Sequence, residues 1–190
     1  MGPAVADMLG EKDTVLECAC GTGAITAAIA AKASKVVATD LSEGMMSQAK
    51  KKCKDYGNVH FETADIMKLD FADESFDAVV AGNVIHLLPD PQAAVRELMR
   101  VCKKGGKVII PTYMNRTKSG RKRMIIRFLE ALGAEFKGDF SVETYEDFLR
   151  NCVGLEPNIK LVEGRMTCAI AELTNVQEKS ERTAIAELTN

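Results

Sequence analysis

A short apolar strand that runs into an acidic residue and then a glycine-rich turn constrains this chain more than any other feature. Thr14-Val15-Leu16-Glu17-Cys18-Ala19-Cys20-Gly21-Thr22-Gly23 carries the pattern, and an alanine-rich helical stretch, Ala24 to Ala33, follows at once. The next strand, Lys35-Val36-Val37-Ala38-Thr39, ends in Asp40. A strand, a tight turn, a helix and a second strand tipped by a carboxylate form the first half of a nucleotide-binding α/β fold. Gly21 and Gly23 allow the backbone to come close to a ligand.

Strand and helix signals alternate along the rest of the chain. The pattern predicts strands at 14–18, 35–39, 58–63, 77–82, 107–112, 158–163 and 166–173. Helices are expected at 23–33, 43–55, 91–102, 118–132 and 142–152. Such alternation implies a mostly parallel sheet with helices on both faces. Asp90-Pro91 reads as an N-cap followed by proline in the first turn. Lys103-Lys104-Gly105-Gly106 reads as the end of that helix, with basic residues at the negative pole of the dipole and glycine as the left-handed cap. The last two strands are joined closely around Gly164-Arg165, which only antiparallel neighbours allow. Residues 1–175 are expected to form one domain, and 176–190 a C-terminal tail. The segment Ala169 to Asn175 is echoed as Ala184 to Asn190.

Composition narrows the function classes. The net charge of −2 gives no general reason to expect nucleic acid or an anionic membrane as partner. The six cysteines show neither a Cys-x-x-Cys pair nor a dense framework, so they read as reduced thiols in a cytoplasmic protein. No secretory leader is visible, and no apolar run approaches the ~20 residues of a membrane span.

The turn excludes several ligands. A dinucleotide site needs a third glycine where this chain has Thr26, and no P-loop string is present. Glu17 would repel a pyrophosphate but suits a ligand carrying an ammonium and a sulfonium. Asp40 is placed to accept from both ribose hydroxyls, and Asp65, just past the third strand, from an exocyclic adenine amine. Phe76 to Asn83 forms the fourth strand and leads into Val84-Ile85-His86-Leu87-Leu88. All of these lie at the carboxyl ends of parallel strands, where open α/β sheets bind ligands.

From Val15 to about Tyr113 the chain resembles the class I S-adenosylmethionine-dependent methyltransferases, in particular the small-molecule group that includes the ubiquinone/menaquinone-biosynthesis enzymes. The strings that carry the resemblance are Leu16 to Gly23, Ala38-Thr39-Asp40-Leu41-Ser42, Ala64-Asp65, Glu74-Ser75-Phe76-Asp77 and Arg100 to Gly106. Residues 140–175 resemble the final helix and hairpin of that group. The resemblance implies a Rossmann-like seven-stranded sheet of order 3-2-1-4-5-7-6, with the inserted last strand antiparallel. It implies S-adenosylmethionine as cofactor, S-adenosylhomocysteine as product and a small-molecule methyl acceptor. Glu17, Ala19, Gly21 and Gly23 would surround the methionine moiety. Asp40 would hold the ribose, Leu41 and Met45 would flank the adenine, and Asp65 and Ile66 would contact its edge and face. Asn83 would offer its backbone carbonyl to the ammonium. In that group a longer N-terminal helix than the arm Met1 to Gly10 helps close the site.

Other residues carry two readings each. His86 is a candidate base or substrate-positioning residue, or simply a wall of the pocket. Tyr113 and Met114, past the fifth strand, are candidates for the acceptor pocket. Cys18 and Cys20, two apart and so expected on one face, make a poor metal site without further ligands, and no metal is expected. Asp73, Glu74 and Asp77 crowd together as a magnesium site would, but Asp73 and Glu74 read as a solvated turn. The run Lys118, Arg121, Lys122, Arg123 and Arg127 reads as the solvated face of an amphipathic helix. Two rival functions stay open: a catalytically silent domain that binds the cofactor or its product, and a nicotinamide-dependent oxidoreductase.

Overall fold

The computed structural model describes residues 1–114, 140–164 and 166–176. In chain order its elements are α1 (Gly2–Ala6), β1 (Thr14–Cys18), α2 (Thr26–Ala30), β2 (Lys35–Thr39), α3 (Glu43–Lys52), β3 (Val59–Glu62) and β4 (Phe76–Ala81). A 3-10 turn (Ile85–Leu87) follows, then α4 (Pro91–Val101), β5 (Cys102–Tyr113), α5 (Val142–Val153), β6 (Asn158–Val162) and β7 (Cys168–Thr174). The expected helix at 118–132 with its basic run, Arg165 of the last turn and the echoed tail lie outside the described residues.

The strands form one seven-stranded sheet of order β3-β2-β1-β4-β5-β7-β6. The first five strands pair in parallel, and β7 runs antiparallel to both β5 and β6. This is the order and the reversed strand that the resemblance implied. Successive side chains of a strand face opposite ways, so the neighbours Val15 and Leu16 feed two different cores. Leu16, Val79 and Ile110 pack with Leu98 of α4 and Tyr145 of α5, whereas Val15, Val80 and Ile109 pack with Val5 of α1 and Ile29 of α2. Sandwiched on both faces, the central strands carry nearly continuous apolar runs, broken in β1 only at Glu17 and its ends, which is why they were readable as sequence.

Side chains set several boundaries. Asp90 Oδ1 accepts from Ala93 N–H at 2.9 Å and starts α4 with Pro91 in the first turn. Ser141 and Thr144 cap α5 reciprocally, and Gly154 ends it with φ of 68°.

Two expectations need correction. The alanine-rich helix is confined to Thr26–Ala30, because Gly23 has φ of 76° and cannot join a right-handed helix. The end of α4 is also not the glycine cap. The helix stops at Val101, Cys102 is extended, and β5 begins there rather than at 107. Asn175 supplies the cap from far along the chain, donating its side-chain amide to Met99 O at 3.1 Å and Cys102 O at 2.7 Å. Lys103 to Gly106 instead form a bulged start to β5, where the register shifts between Phe76 and Ala78. A side chain at Gly106 would meet Asp77 O at 2.6 Å, which accounts for the glycine.

Candidate active site

Register brings the carboxyl ends of β1, β2 and β4 level: Cys18 pairs with Thr39 on one side and with Ala81 on the other. The segments that leave these tips are therefore neighbours, and their backbones are bent. Among the described residues three other than glycine have positive φ, and two stand here, Ala19 (54°) and Asn83 (56°). Left-handed backbone costs an L-residue roughly 1–2 kcal/mol and clusters where surrounding structure enforces it.

The turn after β1 is held by hydrogen bonds. Cys20 N–H donates to Thr39 O at 2.9 Å and Gly23 N–H to Cys20 O at 3.0 Å. Asp40 anchors it from the next strand: Gly21 N–H donates to Oδ2 at 2.8 Å and Ser42 N–H to Oδ1 at 2.8 Å. A carboxylate has about four lone-pair sites, so each oxygen retains one for a ligand hydroxyl. Asp40 is not the cap of α3, because Ser42 fills that role by accepting from Met45 N–H at 3.3 Å.

The two glycines do different work. Gly21, at φ of 57°, has nothing within 4 Å of where a Cβ would stand, so its face of the turn is open. At Gly23 a Cβ would lie 2.9 Å from Ala49 Cα, so this glycine lets the turn pack on α3.

Glu17, the penultimate residue of β1, is 1% exposed, and its Oε2 has no hydrogen-bond partner. Burial, followed by the nearby charge of Asp40, pushes its carboxyl up to about 8, and Thr26 at the start of α2 offsets part of that rise. The Thr26 hydroxyl is itself buried and unpartnered. A buried acid with a spare oxygen beside an open glycine turn fits a ligand that brings an ammonium group. In the sequence Thr26 stood out only as the residue in place of a third glycine; its burial next to Glu17 is what marks it here.

Beyond β3, Asp65 accepts from Met67 N–H at 2.9 Å through Oδ1, and Ile66 is buried in the core. Leu41 is 64% exposed, and Met45 stands half-buried on the first turn of α3. Beyond β4, Asn83 N–H donates to Pro111 O at 2.7 Å, and Asn83 Oδ1 accepts from Tyr113 N–H at 3.2 Å. His86 lies in the 3-10 turn, half-buried. The adjacent candidates Tyr113 and Met114 separate: Met114 packs in the cluster with Tyr145, and Tyr113 packs on the opposite face. Tyr113 lines a groove of about 230 Å³ with Met1, Val162, Glu163, Met166 and Cys168. A second hollow of about 470 Å³ lies between α3 and β3 over Phe61 and includes neither the turn nor Asp40.

Several sequence candidates are engaged elsewhere. Asp73 pairs with Arg100 at 2.7 Å, Glu74 with Lys104 at 3.4 Å and Asp77 with Lys103 at 2.6 Å. Cys18 and Cys20 do not share a face, because Ala19 turns the chain between them and each enters a different core cluster. Burial pushes the Cys18 thiol up to about 12.

Comparison with known proteins gives a consistent result. The family described as "Methyltransferase domain" matches residues 16–110. A demethylmenaquinone methyltransferase of Clavibacter sepedonicus is 40% identical over 107 residues, which cover 56% of this chain and 43% of that one. A phosphatidylethanolamine N-methyltransferase of Cereibacter sphaeroides is 32% identical over 155 residues, covering 78% of this chain and 71% of the relative. The chain thus spans less than half the length of some curated relatives it matches. Among solved structures, an S-adenosylmethionine-dependent methyltransferase from Aquifex aeolicus superposes with a TM-score of 0.66 at 22% identity, over 90% of this chain and 89% of that one. That likeness concerns the fold.

Proposed function

This chain belongs to the class I S-adenosylmethionine-dependent methyltransferases, and on that premise we propose that it methylates a small-molecule acceptor seated at the tips of β4 and β5. The observation that carries the reading is the buried, unpartnered Glu17 oxygen one strand from Asp40, beside the open face of Gly21. Two acids at adjacent strand tips favour a cationic adenosine derivative and disfavour a pyrophosphate.

In this reading Glu17 and the Asn83 carbonyl receive the ammonium, Asp40 the ribose, and Leu41, Met45, Asp65 and Ile66 the adenine. Ala19 and Gly21 supply the backbone wall, and Gly23 seats that wall on α3. The cofactor brings a sulfonium methyl already activated for in-line displacement. The chain then has to hold the acceptor about 3 Å from that methyl, in line with the breaking bond, and keep water away. Tyr113 and the groove beside it serve the acceptor's body, whereas Met114, buried on the opposite face, does not line that groove. His86 takes a proton where the acceptor must lose one. The reading includes a cytoplasmic setting, in keeping with six free thiols. Among the described residues no helix is long and apolar enough to cross a membrane.

Calorimetric titration with S-adenosylhomocysteine and with NAD tests the cofactor site, and tight NAD binding would overturn it. Turnover of a radiolabelled methyl donor against a panel of phenols, quinols and amines tests the chemistry. Tight cofactor binding with label reaching none of them would favour a silent binding domain instead.

A further inference from the structure

We propose that Glu17 selects ligands that carry an ammonium group by proton exchange: it stands protonated in the ligand-free chain and releases its proton to solvent as the ammonium arrives. The inference rests on the cofactor site assigned above and adds to it a linked proton and a reason for discrimination.

The surroundings of Glu17 drive the argument. In the sheet it is flanked by Ala38 and Val80, neither of which can balance a charge. The titratable groups facing it are Asp40 beyond β2, Cys18 and Cys20 on its own segment, and Cys53 at the end of α3. None of them is a cation, and Asp40 adds charge of the same sign. Thr26 contributes polarity from α2, but neither its hydroxyl nor Glu17 Oε2 completes a hydrogen bond. An ionised carboxylate sealed among such neighbours is strongly disfavoured, and the group neutralises instead. Its carboxyl is accordingly raised to about 8, mainly by burial.

An incoming ammonium reverses each condition. It partners the spare oxygen and opposes the field of Asp40, and a close opposite charge lowers a carboxyl by roughly 1–3 pKa units. The exchange balances simply: neutral Glu17 acid and ligand ammonium give a carboxylate–ammonium pair and one proton in solvent. No covalent bond changes. A ligand without the ammonium leaves the acid neutral and gains no charged partner, so the acid discriminates between otherwise similar adenosine thioethers.

The test is calorimetry on the full chain at pH 7, in phosphate and in Tris, whose ionisation enthalpies differ widely. S-adenosylhomocysteine and its deamino analogue are the ligands. The expected result is release of roughly half to nearly one proton with S-adenosylhomocysteine, none with the deamino analogue, and roughly tenfold or greater preference for the amine. Glu17→Gln should bind S-adenosylhomocysteine with no proton release. Buffer-independent heat for the unaltered chain would overturn the inference while leaving the cofactor site standing. Equal proton release by the Glu17→Gln chain would also overturn it. Failure of S-adenosylhomocysteine to bind would remove both the site and the inference. The two-ligand comparison needs no variant, so it decides the matter even if Glu17→Gln does not fold.

Discussion

Two stretches of one rim are built in opposite ways. At the tips of β1 and β2 the walls are backbone: Gly21 and Ser42 amides grip Asp40, and the Cys20 amide extends the ladder to Thr39. At the tips of β5, β6 and β7 the walls are side chains, Tyr113, Val162 and Met166 among them, and Leu161 nearby is 51% exposed. A backbone wall stays nearly the same when side chains change, so it suits a ligand that never varies. A side-chain wall is rewritten by single substitutions, so it suits the partner that differs among relatives. On the proposed assignment, the difference would let one sheet pair a fixed cofactor with an acceptor chosen by side chains.

The sharpest way to break this contrast is Gly23→Val. Its Cβ would stand 2.9 Å from Ala49 Cα at a φ of 76°, so overpacking and left-handed strain combine. The expected loss is roughly 3–5 kcal/mol of folding stability in urea denaturation. Met166→Ala, on the other stretch, should move stability by less than about 1 kcal/mol, because Met166 is 39% exposed. Comparable losses at both sites would remove the distinction.

Next in size is the pH response of Glu17. Its folded-state carboxyl is raised from 4.5 to about 8, chiefly by burial. The native chain therefore holds the proton more tightly than the unfolded chain. Stability from the neutral acid is fully present below about 4.5 and is lost as pH rises toward 8. Ligand-free stability should decline by on the order of 3 kcal/mol from pH 5 to pH 8, and Glu17→Gln should flatten that decline. Urea denaturation at four pH values measures it; a slope that survives in Glu17→Gln assigns the effect elsewhere. Asp40→Ala comes third, weakening S-adenosylhomocysteine binding by about 1–3 kcal/mol in calorimetry, the range for charged hydrogen bonds. Unchanged affinity would take Asp40 out of the site.

The same contrast decides what could be read before folding. β1 and β2 matched their expected limits because a strand buried on both faces is a nearly continuous apolar run, and each stops where a polar or bending residue follows. Lys103 to Gly106 misled because basic residues before glycines have the chemistry of a helix end. The real cap, Asn175, stands 73 residues beyond Cys102, a distance no local pattern spans. Glu17 was legible as an acid beside a turn, but its solvent exclusion comes from packing by elements that follow it. Tyr113 and Met114 could not be told apart, since pairing with β7 decides which face each meets.

The smallest expected effect tests the seam between the two stretches. Asn83 closes β4 with φ of 56° and accepts the Tyr113 amide at 3.2 Å, so one side chain ties the tip of β4 to the end of β5, which are the proposed cofactor and acceptor walls. Asn83→Gly keeps the left-handed bend at no steric cost and removes only the tie. Asn83→Ala removes the tie and adds left-handed strain. If the bend serves the cofactor and the tie serves the acceptor, Asn83→Gly should leave S-adenosylhomocysteine affinity within about twofold while lowering kcat/KM by roughly 1 kcal/mol. Asn83→Ala should weaken both. The opposite order, with Asn83→Gly the more damaging for cofactor affinity, would mean that the amide rather than the bend organises the tip of β4, and that the two stretches work as one.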